Sequence, residues 1–415
     1  MVFIYNFFLI LLCILLLPII LIAFVIQPKF RAGFWNKIGL YSYQKENKTT
    51  VFHAVSVGEV NAIKDLVFQY KNQHPDEDLV ITTTTKTGQT LAKKVFTDCA
   101  KVITYFPYDF FFSIQSFLNT YKPEKIIVAE TEIWPCFITL AKKQGIKVYT
   151  VNGRISPHSF DGYKKLKFFL SNVLNKYEKI FMQSKDDAER MINIGANQEK
   201  VEVMGNLKFD ISQNLTEGEI QRYKNEFKSE KYRLFIAAST HKGEDEIVLY
   251  TFKTLKEKCP DAKLLLAPRH PQRYEEVITL LNRSSYKWGK RSTNSNFEEN
   301  DIILLDTMGE LAKIFSICHI AFIGGSFSNT GGHNPLEANI WNKPVLSGPV
   351  VFNFRDVYKI LTAKNCVQIV VDKFDFADVL LSFYTDIDKY EKYCSNTKTV
   401  FDENRGAIKY VLERI

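Results

Sequence analysis

The sequence lacks the residue patterns that would staple it or give it a structural metal. Its seven cysteines (Cys13, Cys99, Cys136, Cys259, Cys318, Cys366 and Cys394) are scattered, odd in number and never spaced CxxC. That excludes a disulfide framework or zinc ribbon and fits a reducing compartment. There is no HExxH, and His53, His241, His270 and His333 show no helical spacing, so no metalloprotease centre is read. No glycine-rich stretch has the GxGxxG or GxxxxGK[ST] spacing, which removes support for NAD and ATP chemistry. Short repeats and low-complexity tracts are absent, which argues against a solenoid or a disordered chain. Only one long apolar run exists, so a polytopic membrane protein is excluded. What is present is an ordinary globular composition, 46% hydrophobic and 24% charged. The 415 residues are enough for two or three domains. Lys and Arg number 54 against 46 Asp and Glu, a net charge of +8. A basic excess of that size suits nucleic acid, an anionic membrane or a phosphorylated substrate alike.

The apolar run covers residues 2–26, with no charge and only Asn6 strongly polar. As one helix it would be roughly 37 Å long, enough to cross a bilayer with some tilt. Pro18 is tolerable there and is a candidate kink. A cleaved signal peptide fits less well, since a basic n-region and a small-x-small cleavage site are both missing. Lys29, Arg31 and Lys37 follow directly, which predicts a single-pass anchor over 1–28 with the rest of the chain in the cytoplasm. Those cations, with Phe30, Phe34 and Trp35 among them, suit a headgroup layer.

From residue 50 the chain alternates β-branched runs with helical periodicity. Strands are expected over 50–56, 78–85, 101–106, 124–130, 147–153 and 179–184, then over 233–239, 263–269, 301–306, 319–325, 343–348 and 366–371. Such spacing predicts parallel strands covered by helices on both faces, an α/β doubly wound architecture. Twelve strands exceed one compact sheet, and the polar stretch 209–231 is the natural break. The expected division is an anchor over 1–28, a domain over 29–210 and a second over 211–415.

Ligands of such sheets bind beyond the strand carboxyl ends. Those positions carry SVGE (56–59), TTTTKTGQT (82–90), ETEIWP (130–135), NGRIS (152–156), GNLKFD (205–210), ASTHKGEDE (238–246), APRHPQR (267–273), DTMGE (306–310) and GGSFSNTGGHNPLE (324–337). In the last, Gly324, Gly325 and Ser326 offer backbone N–H groups to an anion, and Asn334-Pro335-Leu336-Glu337 opens a helix. Glu337 is either a ribose-binding carboxylate or one that only complements a helix dipole. Arg269 is either a phosphate partner or surface charge. Glu59 is a general-base candidate, or a carboxylate that stabilises its helix N-terminus. Glu130, Glu132 and Lys208 form a possible constellation with it. The Asp386–Asp388 DxD is read as solvated charge rather than a metal site.

These motifs, in this order and separation, resemble the 3-deoxy-D-manno-octulosonic acid (Kdo) transferases of lipopolysaccharide assembly, from about residue 28 to 415. The resemblance implies a GT-B glycosyltransferase: two Rossmann-like domains facing a cleft, the last helix often crossing back to the first. It implies CMP-Kdo as donor, lipid IVA as acceptor, the inner membrane as location and neither a cofactor nor nucleic acid as partner. Carried over by position, Glu59 is the general base, and Glu130 and Lys208 stabilise the transition state. Pro268, Arg269, Met308, Gly309, Glu310, Asn334, Pro335, Leu336 and Glu337 hold the CMP moiety. The chain departs from the family in a less basic juxtamembrane stretch and in Phe110-Phe111-Phe112, an aromatic triple expected in the core. Two other readings stay open: a membrane-associated GT-B enzyme using a UDP-sugar, and a non-catalytic anchored nucleotide-binding protein.

Overall fold

Among the described residues fourteen short parallel strands, six of them wholly buried, build two sheets. The computed structural model describes residues 2–27, 31–43, 46–211 and 215–415. It divides into two compact units, Met1–Asp210 with Asn404–Ile415, and Ile211–Glu403.

The first unit holds β1 (Thr49–His53), β2 (Asp78–Thr83), β3 (Val102–Tyr105), β4 (Lys125–Ala129), β5 (Lys147–Gly153), β6 (Lys179–Met182) and β7 (Val201–Val203). They pair in parallel in the order β3-β2-β1-β4-β5-β6-β7. Both faces are dry, as the period-two alternation requires. Val51, Ile126, Val128 and Val148 pack on one side, and Phe52, Ile127, Ala129 and Val151 on the other. The second unit holds β8 (Arg233–Thr240), β9 (Ala262–Pro268), β10 (Trp288–Lys290), β11 (Ile302–Leu304), β12 (Ile320–Ile323), β13 (Val345–Ser347) and β14 (Val367–Ile369). Their order is β10-β11-β9-β8-β12-β13-β14, again parallel. Chain order reverses between β1 and β4 and between β8 and β12. These are the switch points at which such sheets leave a crevice beyond the strand ends.

The chain returns to the first unit at Asn404. Helix Ala407–Leu412 buries Ala407, Ile408, Val411 and Leu412 in the same cluster as Phe52. Asp210 fixes that return by accepting hydrogen bonds from Gly406 N (3.0 Å) and Ile408 N (2.7 Å).

The run 2–26 is not the single straight helix expected of it. It forms two helices, Val2–Leu15 and Leu17–Ile26, bent by 66°. Among the described residues no single helix is long and apolar enough to cross a membrane. Pro18 is the cause: it has no N–H to give to Ile14, and its ring crowds the preceding turn. The first helix also packs on Pro135–Lys143, with Asn6 buried and its Oδ1 accepting from Phe111 N at 2.8 Å. The second helix buries no residue.

Two further expectations are corrected here. Lys37 is buried, with its ammonium 4.8 Å from the centre of the Tyr105 ring, so it does not reach headgroups; Lys29 and Phe30 lie outside the described residues. The aromatic triple does not sit in the core: Phe111 and Phe112 are 41% and 57% exposed. Helix Phe111–Tyr121 turns Ser113, Ile114, Phe117 and Leu118 inward. The helical period then leaves its first two residues on the outer side.

Candidate active site

Glu59 enters the first unit's switch point from the first turn of helix Val57–Gln73, directly after β1. Its carboxylate folds back over the helix start, accepting from Val55 N at 2.7 Å and from Ser56 Oγ at 3.0 Å. It is only 7% exposed. Burial pushes its carboxyl up to about 7, aided by the charges of Glu130 and Glu132 and opposed by the Val55 amide. A carboxylate poised near neutrality suits a general base.

Glu130 follows β4, across the switch point, in the left-handed conformation at φ 56°. A non-glycine residue there is strained, and such strain collects at functional sites. Its N–H is held by Val151 O at 2.8 Å. With Glu132, Arg154, Ser156 and Tyr163 it lines a polar cavity of about 180 Å³. Glu132 is also pushed up to about 7 by burial, with Glu130 adding to the rise. Lys208 lies in the turn Leu207–Phe209, which packs on the helix that carries Glu59. Asn152 Oδ1 and Asn206 Oδ1 fix this turn through Leu207 N and Lys208 N, each at 3.0 Å. Asp109 of YFPYD is structural: it accepts from Cys136 N (3.0 Å) and Phe137 N (2.8 Å) and so caps helix Pro135–Lys143.

In the second unit a cavity of about 350 Å³ lies beyond β8, β9 and β12, lined among others by Ser239, Arg269, Gly309, His333, Asn334 and Glu337. Of the residues expected to hold the donor, Arg269, Gly309, Asn334 and Glu337 therefore come together. Pro268, Pro335 and Leu336 are buried behind the lining, and Met308 is exposed. The Glu310 carboxylate is taken by Arg291 at 3.1 Å and by Thr307, so it serves the loop. Glu337 is an exposed residue whose carboxyl lines the cavity; desolvation by the surrounding protein pushes it up, with Arg269 pulling the other way.

Two features of the glycine loop depart from expectation. Gly324, Gly325 and Ser326 do not present free N–H groups to an external anion. Gly324 N donates to Ala238 O at 2.8 Å. Gly325, Ser326 and Phe327 N donate to the buried carboxylate of Glu244 at 2.7, 2.8 and 2.8 Å. The anion in that nest is the chain's own. The helix after Asn334-Pro335 is also only one turn, Leu336–Asn339, too short to carry a useful dipole. Sequence reasoning missed Ser239, left-handed at φ 55°, and His333. Their signal was position alone, one at the end of β8 and the other in the loop after β12.

The family model described as 3-Deoxy-D-manno-octulosonic-acid transferase (kdotransferase) matches residues 32–211. A 3-deoxy-D-manno-octulosonic acid transferase of Haemophilus influenzae is 34% identical over 397 residues, covering 93% of this chain and 91% of that one. One of Rickettsia bellii is 30% identical over 340 residues, 80% of this chain and 79% of its own. The UDP-GlcNAc 2-epimerase of Neisseria meningitidis shares the fold, at 15% identity and a TM-score of 0.52, over 89% of this chain and 99% of that one. The two seven-stranded parallel sheets are thus GT-B-like, and the extent of its likeness to the curated relatives shows that the chain belongs to the 3-deoxy-D-manno-octulosonic acid transferase family.

Proposed function

We propose that this chain is an inverting glycosyltransferase that moves Kdo from CMP-Kdo to lipid IVA in lipopolysaccharide biosynthesis. The observation that carries the reading is Glu59, a buried carboxylate raised toward neutrality at a sheet switch point. In this mechanism Glu59 takes the proton of an acceptor hydroxyl as that oxygen attacks the anomeric C2 of Kdo from the face opposite CMP. Positive charge grows on the sugar, which the Glu130 carboxylate stabilises electrostatically, and negative charge grows on the leaving phosphate. Lys208 supplies a further charge in the first unit. Arg269 supplies the counter-charge in the donor cavity, so the reading invokes neither metal nor cofactor. The test is mass analysis of lipid IVA after incubation with the protein and CMP-Kdo or UDP-sugars. Added mass of one or more Kdo units from CMP-Kdo supports it; transfer only from a UDP-sugar overturns the donor.

The pH profile follows from the same carboxylate. A base raised to about 7 is protonated below that value and free above it. Turnover should fall about tenfold per pH unit below pH 7 and level off above it. A rate flat from pH 5 to 8 would remove Glu59 from the role.

In this reading the inner membrane holds the enzyme through the run 2–26, with the body in the cytoplasm. The support is exposure: Phe3, Phe7, Ile19, Ile22 and Ile26 stand out from the two helices, and Phe111, Phe112 and Phe168 are exposed on the same unit. Ile19→Asp places a charge on a side chain already exposed, so folding should survive it. It should cost about 2.5–3.5 kcal/mol of membrane partitioning and move protein into the soluble fraction of salt-washed membranes. An unchanged distribution contradicts the anchor.

A further inference from the structure

Three histidines converge at the mouth of the second sheet. His241 follows β8, His270 follows β9, and His333 lies in the loop after β12. The Nε2 atoms of His241 and His333 are 2.9 Å apart, so one ring must donate a proton and the other accept it. Their planes differ by 11°, and His270 meets His241 edge-on with centroids 5.5 Å apart. His333 lines the cavity together with Arg269.

Cations and carboxylates both face this pair. Arg269 and His270 face it from the loop after β9, and Arg273 from the turn Pro271–Arg273. Two of the three carboxylates close by are committed. Glu244, which also accepts from His241 N at 2.8 Å, is held by the glycine-loop amides. Asp245 pairs with Arg273 and accepts from Thr240 Oγ1 at 2.6 Å. Glu337, on the helix after His333, is drawn to Arg269. Burial first, then Arg269 and the neighbouring rings, hold His333 down to about 4; burial also lowers His241, with Glu244 opposing and His270, Arg273 and Arg269 adding. Paired imidazoles kept neutral chiefly by burial, with Arg269 lining the same cavity, gain a favourable partner when an anion enters.

We propose that His241 and His333 form one proton-sharing phosphate subsite, which takes up a proton as the nucleotide phosphate enters and holds it between the two rings and a phosphate oxygen. The subsite rests on the CMP-sugar reading for its ligand, and it makes or breaks no covalent bond. It reads the phosphate and leaves the base to other residues. Product release then follows from the same coupling, since loss of the shared proton returns the pair to its neutral state.

The experiment is titration calorimetry of the full chain with CMP, UMP and cytidine, in buffers of different ionisation enthalpy, between pH 7 and 8. CMP should bind with uptake of close to one proton, and its Kd should weaken by up to roughly tenfold per pH unit. Cytidine, which has no phosphate, should take up none. His241→Gln and His333→Gln should each remove the uptake and weaken CMP while leaving cytidine unchanged. Uptake that persists in both variants, or accompanies cytidine equally, overturns the subsite. So does CMP binding without uptake by the unmodified protein, which decides the matter even where a variant fails to fold. Binding of UMP in place of CMP, with the proton still taken up, sinks the donor assignment and keeps the subsite. Binding of neither nucleotide removes both.

Discussion

Glu59→Ala is expected to abolish Kdo transfer while leaving CMP binding unchanged. General-base catalysis contributes roughly 10²–10⁴-fold, and a buried alanine leaves no group to take its place. The alanine has a second effect that must be separated from the first. It strips the part-buried Val55 N–H of its acceptor, a hydrogen bond of 2.7 Å, at a cost toward the lower end of the about 1–3 kcal/mol that a fully buried donor would pay. Glu59→Gln resolves the two. The amide oxygen keeps Val55 satisfied, but the group cannot accept a proton at any working pH. Single-turnover transfer should therefore collapse in both variants, whereas a thermal melt should report destabilisation chiefly in the alanine. CMP affinity, read by calorimetry, should be unaffected in either, because the cavity with Arg269 and Glu337 lies in the other unit. Robust transfer by the glutamine variant would remove Glu59 as the base.

Much of the fold was legible because buried parallel strands read as β-branched runs. TTVFH, DLVITT and KIIVA needed no context beyond their own apolarity. Two strands escaped notice, β7 (VEV) and β10 (WGK). Both are three-residue edge strands with one partner, and neither is wholly buried. A strand wetted on one edge needs no continuous apolar run, so its sequence carries little signal. The bend after Leu15 was foreshadowed by Pro18, whereas the meeting of Asn6 and Phe111, 105 residues apart, was not.

The site was legible by position and less so by role. Glu59 and Glu130 stand where strand ends and topology put them, on either side of a switch point. What the sequence could not show is that Glu130 is left-handed, or that Glu310 is spent on Arg291. The glycine loop is the clearest case. Gly-rich turns read as anion cradles from sequence alone, and this one is a cradle, but its occupant comes from an element 81 residues earlier. Long-range contacts of single side chains leave no periodic trace.

That occupant gives the largest stability effect expected of any substitution here. Glu244 is 1% exposed and accepts four backbone N–H groups, from His241, Gly325, Ser326 and Phe327. Glu244→Ala orphans all four and removes a CH2–COO− group, the four heavy atoms of acetate, from a buried site. Each unmet buried donor costs about 1–3 kcal/mol, and partial relaxation brings the expected total to about 3–5 kcal/mol. Against the ~5–15 kcal/mol that holds an ordinary domain, this should unfold much of the second unit at moderate urea. The first unit should keep its own transition, since the substitution lies outside it. CMP binding should be lost with it, because His241 and His333 both hang on the loops that Glu244 ties together. Molar acetate gives the decisive measurement. A free carboxylate can occupy the vacated amides, so acetate should raise the urea midpoint of Glu244→Ala more than that of the unmodified protein, while equal shifts in the two would show that the amides had found other partners.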